Sequence, residues 1–189
     1  MEAEDLLEYA RGVCDRLGIF YFVVGSMATI AYGDPRLTND IDIVIDLPNE
    51  KVDPFCDAFS GEEFYVSRQA VRAAVAKRFQ FNVIHTTSGY KIDFVVLSDS
   101  DFDRSRRRRC RDLPVLAEGP TWFASPEDVI LKKMLYFKEG GSDKHLRDIA
   151  GVLRLQGERL DKFYVAEWAK LLGVEGIWQA IVAKEHDAS

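Results

Sequence analysis

At 189 residues and 47% hydrophobic side chains, the chain has material for one compact domain, or for a main domain with a helical appendage. A formal charge of −6 and a pI of about 5.2 exclude a surface that is basic as a whole and leave only local basic patches for nucleic acid. Cys14, Cys56 and Cys110 are odd in number and widely spaced, which excludes a disulfide framework and a zinc-ligand pattern. The acidic start, MEAEDLLEYA, is unlike a signal peptide, and no apolar run approaches the ~20 residues of a membrane span. These features together predict a soluble, cytoplasmic protein with no membrane partner.

Leu6, Leu7, Tyr9, Ala10, Val13, Cys14 and Leu17 recur at helical spacing over residues 3–17, with Gly18 as a stop. IFYFVVG is a continuous apolar run closed by Gly25, the pattern of a buried strand. SMATIAYG predicts a short helix capped by Ser26, and Asp-Pro opens a loop over DPRLTN. DIDIVID predicts a strand with Asp40, Asp42, Val44 and Asp46 on one face and Ile41, Ile43 and Ile45 on the other. A short helix from Pro54 to Phe59, a short strand in EFYVS and a helix in RQAVRAAVAKR follow. FNVIH and YKIDFVVL flank TTSG, a hairpin signal with Gly89 free to take a positive φ. Beyond the basic run RSRRRRCRD, LPVLAEGPTWFA predicts two weak strands turning at Gly119-Pro120. Ser125-Pro126-Glu127-Asp128 is a helix start: an N-cap hydroxyl, proline in the first turn and acids at the positive dipole end. Further helices are expected near residues 144–155, 161–171 and 176–184. The chain reads as α/β to residue 124 and all-helical from 125 to 189.

Asp40 and Asp42 are two apart on a strand, so both carboxylates share one face. Such a pair repels itself unless the face is solvated or a divalent cation neutralises it. Asp93 stands mid-strand between Ile92 and Phe94, a poor choice for a core unless its strand runs beside the first pair. Gly25-Ser26 follows a strand and opens a helix, where bare backbone, a hydroxyl and the helix N-terminus suit an anion. Three carboxylates and an anion cradle are the parts of a two-metal phosphoryl-transfer site. The arginines from Arg104 to Arg111 include four in a row, Arg106 to Arg109, which cannot share one face of a helix or strand. Most of them read as solvated, yet the block is dense enough to hold a triphosphate or an RNA backbone.

The stretch VVGSMATIAYG…TNDIDIVID resembles the signature of the nucleotidyltransferase superfamily, which has the DNA polymerase beta-like fold. FASPEDVILKKMLYFKEGGSDKHLRDIAGVL resembles its abortive-infection toxin type, with a helix lysine followed by a Lys-x-x-x-Asp-Ile segment. The resemblance implies an α/β (α+β) fold in which a mixed sheet flanked by helices forms a core over residues 1–124, with a helical region over 125–189. It implies transfer of a nucleoside monophosphate from an NTP to an acceptor hydroxyl. Asp40, Asp42 and Asp93 would be the catalytic carboxylates and the ligands of Mg2+ or Mn2+. Gly25 and Ser26 would cradle the triphosphate, and Lys133, Lys144 and Asp148 would serve nucleotide binding, with Lys132 the alternative to Lys133. Acceptors in the superfamily are RNA 3′ ends, protein hydroxyls and small-molecule antibiotics. The arginine block favours RNA, above all a tRNA, and the toxin type implies an antitoxin partner. A catalytically silent nucleotide-, RNA- or protein-binding module on the same fold is the alternative. His145 stands where relatives often carry an acid, and the helices after Leu155 match no functional motif.

Overall fold

The computed structural model describes residues 2–35, 38, 40–116 and 119–187, so Arg36, Leu37 and Asn39 of the expected loop lie outside the described residues, as do Ala117 and Glu118. The chain divides into two compact units: Met1–Met27 with Leu37–Ala124, and Ala28–Arg36 with Ser125–Ser189. Among the described residues no helix is long and apolar enough to cross a membrane.

The first unit is a seven-stranded mixed sheet with helices. In chain order it runs α1 (Ala3–Leu17), β1 (Phe20–Val24), the start of α2 (Gly25–Tyr32), β2 (Asp40–Asp46), α3 (Val52–Ala58), β3 (Phe64–Tyr65), α4 (Arg68–Lys77), β4 (Gln80–His85), β5 (Lys91–Val96), α5 (Asp101–Arg109), β6 (Arg111–Leu116) and β7 (Gly119–Phe123). The strand order is β3-β4-β5-β2-β1-β7-β6. β2 pairs antiparallel with β1 and parallel with β5, and β7 pairs parallel with β1. The hairpin read at TTSG joins β4 to β5, with Gly89 at φ 74° and its N–H bonded to the His85 carbonyl.

Strand alternation divides the central strands as their sequence suggests. Ile41, Ile43 and Ile45 of β2 are buried, as are Ile92, Phe94 and Val96 of β5. This apolar face meets the buried stripe of α1, made of Leu6, Leu7, Ala10, Val13 and Cys14, together with α3. Phe55 lies 5.3 Å from Phe94 between ring centroids, and Phe81 stacks on Phe94 at 5.2 Å. Truncating a fully buried ring such as Phe94 costs about 3–5 kcal/mol, so this cluster holds the strands in register.

The basic run forms α5, an element the sequence reading left unassigned. Ser100 caps it by accepting from the Asp103 N–H at 3.1 Å. Asp101 and Asp103 sit in the first turn and the arginines in the last, matching the helix dipole at both ends. Arg106 is buried, paired with Asp103 at 2.8 Å, and lies over the rings of Phe22 and Phe102. Arg107 reaches Asp46 and covers Phe20, and Arg104 pairs with Asp101. The arginines divide among several directions, and three of them meet carboxylates rather than a bare solvent face.

In the second unit, the end of α2 packs with α6 (Pro126–Gly140), α7 (Asp143–Gln156), α8 (Lys162–Leu171) and α9 (Glu175–Asp187). Ala28–Arg36 joins these helices because Gly33 and Gly151 allow close approach. A Cβ on Gly151 would lie 2.9 Å from Asp34 Oδ2, and one on Gly33 would lie 3.3 Å from the Val152 backbone. Arg154 pairs with Asp34, and the Gln156 amide donates to the Tyr32 carbonyl at 2.9 Å. The helix start read at Ser125 is buried and structural. Ser125 caps Asp128, Asp128 Oδ1 accepts from the Tyr164 hydroxyl at 2.8 Å, and Glu127 accepts from the Asp161 N–H at 3.0 Å. The acids thus fasten α6 to α8.

Candidate active site

Register brings the acids together. In the parallel β2–β5 pair, Asp42 stands opposite Asp93 and Asp40 opposite Lys91. Asp42 also faces Val24 on β1, and Asp93 faces Asn82 on β4. Because side chains alternate along a strand, Asp40, Asp42, Lys91 and Asp93 all project from the face opposite the aromatic cluster. Directly opposed residues have Cβ atoms about 4.5–5.5 Å apart, so two like charges at Asp42 and Asp93 repel strongly unless a cation stands by.

The protein supplies one of its own. Lys91 Nζ lies 2.7 Å from Asp93 Oδ2. The Asp93 hydrogen bond, opposed by desolvation, then the charges of Asp93, Asp40 and Asp42 push the lysine above its ordinary pKa. Lys91 therefore feels all three carboxylates. The sequence reading missed it, although the same two-residue spacing that pairs Asp40 with Asp42 places Lys91 beside Asp93.

Gly25 has a second role besides bare backbone. It takes φ 61°, turning the chain from β1 into α2 with no intervening loop. A Cβ here would lie 2.7 Å from Asp42 Cγ and overlap its Oδ2 outright. The glycine is thus the floor under the Asp42 carboxylate. Ser26 is buried and lies inside α2 rather than at its cap, because the helix already begins at Gly25.

The residues expected to bind nucleotide from the helical region are partly engaged with one another. Lys133 and Asp148 form a buried ion pair at 2.6 Å between α6 and α7, with side chains 6% and 8% exposed. Lys132 instead lies over the Tyr136 ring. Lys144 and Asp148, four apart on α7, form no ion pair among the described residues, and Asp148 instead meets Lys133. Lys144 is exposed and lines a cavity of about 390 Å³ with Thr29, Asp34, Arg147, Asp148 and Gly151. Asp34 and Asp148 are neutralised by Arg154 and Lys133, whereas Lys144 and Arg147 make no ion pair among the described residues. The cavity is therefore electropositive. Arg147 went unread because an arginine on an amphipathic helix looks like any solvated one.

His145 packs against Tyr136, and burial, then the Lys133 charge, hold its imidazole below the ordinary pKa. His85 is buried and structural, its Nδ1 accepting from the Ser88 N–H at 3.2 Å in the β4–β5 hairpin.

Among the described residues no three carboxylate, imidazole or thiol groups converge into a preformed metal cage. The donor set nonetheless fits a hard divalent ion. Magnesium commonly takes only one or two carboxylates and completes its shell with water and substrate phosphates. The Lys91 ammonium marks where positive charge is wanted.

No family model matches the chain, and no curated protein matches its sequence. Solved structures do. ANT(2″)-Ia in complex with adenylyl-2″-tobramycin is similar at a TM-score of 0.57 and 14% identity, over 96% of this chain and 97% of that one. An antigenic nucleotidyltransferase-like protein from Paracoccidioides brasiliensis is similar at 0.57 and 16% identity, over 96% and 92%. The lincomycin-bound lincosamide antibiotic adenylyltransferase LnuA is similar at 0.51 and 14% identity, over 79% and 95%. At such identities the likeness is one of fold, and the fold of this chain is that of the nucleotidyltransferases.

Proposed function

We propose that the chain is a metal-dependent nucleotidyltransferase that moves a nucleoside monophosphate from an NTP to a hydroxyl on a small-molecule acceptor. One observation carries the reading: Asp42 and Asp93 oppose each other in register, with Asp40 on the same face and Gly25 bare beneath Asp42.

In this reading Asp40, Asp42 and Asp93 hold Mg2+ or Mn2+. When bound, such an ion neutralises phosphate charge and lowers the pKa of an acceptor hydroxyl. The acceptor oxygen forms a bond to the α-phosphorus as the bond to the bridging oxygen breaks and pyrophosphate leaves. Asp93 accepts the hydroxyl proton. Gly25 and Ser26, at the head of α2, meet phosphate oxygens through backbone N–H groups and the serine hydroxyl. Lys144 and Arg147 supply charge for phosphate as well, and Lys133 assists indirectly by neutralising Asp148 on the wall of the same cavity.

The arginine block supports a small-molecule acceptor over RNA. The density of the block favours RNA and the toxin-type resemblance an antitoxin, but Arg104, Arg106 and Arg107 pair with Asp101, Asp103 and Asp46. That commits half of the six arginines on whose charge an RNA backbone would depend. The tobramycin adduct and lincomycin seen with the similar structures make hydroxyl-bearing antibiotics the first acceptors to try. A silent nucleotide-binding module is the second reading, favoured by the lysine already seated on Asp93.

The test is incubation with each α-labelled NTP, Mg2+ and separate acceptor pools: tobramycin, lincomycin, total tRNA and the protein alone. Label on a small molecule supports the proposal. Label on tRNA alone would return the RNA reading, and nucleotide binding without transfer to any pool would favour the silent module.

A further inference from the structure

We propose that Lys91 is the resident counter-ion of the carboxylate row, a positioning residue that a divalent ion must displace, so that Lys91 sets the affinity of the site for metal. The inference rests on the metal-dependent reading above and adds to it a residue that the sequence reading did not assign.

The geometry is specific. Lys91 stands two residues before Asp93 on β5, so both side chains leave the same face of the sheet. Across the strand gap its register partner is Asp40, and the next pair on the same face is Asp42 with Asp93. A cation here has a carboxylate along its own strand and two more on the neighbouring one. The ammonium makes its 2.7 Å contact with Asp93 Oδ2, one of the oxygens a metal ion would need. Lysine and metal therefore compete for the same lone pairs.

The competition is uneven, which makes it useful. The Lys91 side chain is 46% exposed and that of Asp93 26%, so the pair is half-solvated rather than locked in a core. Such pairs contribute little, and lysine's flexible stem and strongly hydrated head release easily. Without metal, the ammonium offsets part of the repulsion between Asp42 and Asp93. With metal, the same repulsion is relieved by the stronger charge, and the lysine is superfluous. The cost to metal binding is about three- to tenfold in affinity, reflecting a weak pair lost and a nearby positive charge that repels the ion.

The experiment measures Mn2+ binding directly, by electron paramagnetic resonance of free ion in a titration of the whole chain, together with melting in EDTA and in saturating Mn2+. Lys91→Gln is expected to bind Mn2+ about three- to tenfold tighter than the wild type. It should also melt lower in EDTA, with the deficit closing once Mn2+ is added. Lys91→Arg, which keeps the charge, should bind within about twofold of the wild type. Equal or weaker Mn2+ binding by Lys91→Gln would overturn the proposal and leave Lys91 a surface ion pair. A wild type that binds no Mn2+ would instead sink the metal-dependent reading itself, a result the variants cannot mimic.

Discussion

Gly25 and Asp42 constrain each other closely. The glycine's positive φ and the lack of room for a methyl group are independent demands on one position. Gly25→Ala should therefore cost about 1–3 kcal/mol from backbone strain and also push the Asp42 carboxylate aside. A fall of at least about 100-fold in transfer, with a lower melting temperature, is the expected pair of results. Asp42→Asn leaves both demands in place and tests the charge alone, because it keeps the shape. It should abolish transfer while stability holds or rises, since the charge opposing Asp93 is gone. Near-normal turnover in that variant would remove Asp42 from the chemistry. The two-residue period made the Asp40–Asp42 pair legible in sequence. The apposition of Asp42 and Asp93 depends on which strands become neighbours, which an acid between Ile92 and Phe94 hints at but no local period fixes. The pairing of Lys133 with Asp148 joins two helices fifteen positions apart, a distance at which no local periodicity speaks.

Among the elements, α5 was the least legible and is energetically the most specific. Its caps were present in the sequence as Ser100, Asp101 and Asp103, but the charge run drew attention away from them. Its buried cation is held by Asp103 and two aromatic rings. Burial pulls the Asp103 carboxyl up, but hydrogen bonds from Ser98 and the Arg106 charge outweigh it and hold the group below its ordinary pKa. A depressed carboxyl contributes stability that is fully present above its unfolded pKa of about 3.9 and is lost as pH falls through the folded value. Arg106→Leu leaves the carboxylate part-buried without its partner, which should cost about 3 kcal/mol in urea unfolding near pH 7. The same variant should lose less stability than the wild type as pH falls below about 4, because protonating Asp103 now relieves an unpaired charge. Parallel acid limbs in wild type and variant would show that the Arg106 charge is not what depresses Asp103. β2 and β5 were easier to read because alternation of apolar and acidic residues states both their period and their buried face.

At the scale of the molecule, charge and acceptor have to agree. A chain of net charge −6, in which half of the densest basic block is paired internally, favours the approach of cations over that of a phosphate backbone. An aminoglycoside is a polycation, so its encounter with such a surface should be accelerated and should weaken with salt. Exposed charges are screened beyond about 8 Å at 0.15 M ionic strength. Raising sodium chloride from 0.05 to 0.5 M, values chosen to span that range, should therefore increase KM for tobramycin several-fold while kcat changes little. tRNA should show no retardation at the lower salt, where phosphate contacts are strongest. The two measurements check each other because they respond to the sign of the field in opposite ways. Tight tRNA binding whose log affinity falls with log salt at about −0.7 per contact would mean that the arginines of α5 leave their carboxylates to meet phosphate. The division of the chain bears on the same question. The break in composition at Ser125 is plain in the sequence, whereas the grouping of Ala28–Arg36 with the helices follows from Gly33 and Gly151 meeting across α2 and α7. That close packing puts Thr29 and Asp34 on the wall of the cavity where Lys144 and Arg147 make no ion pair among the described residues, giving an acidic chain a local place for an anion. Inorganic triphosphate should therefore compete with NTP binding, and Arg147→Ala should weaken that competition by about tenfold, the loss expected for one charge-assisted contact. Competition unaltered by this change would assign the phosphates to Gly25 and Ser26 alone.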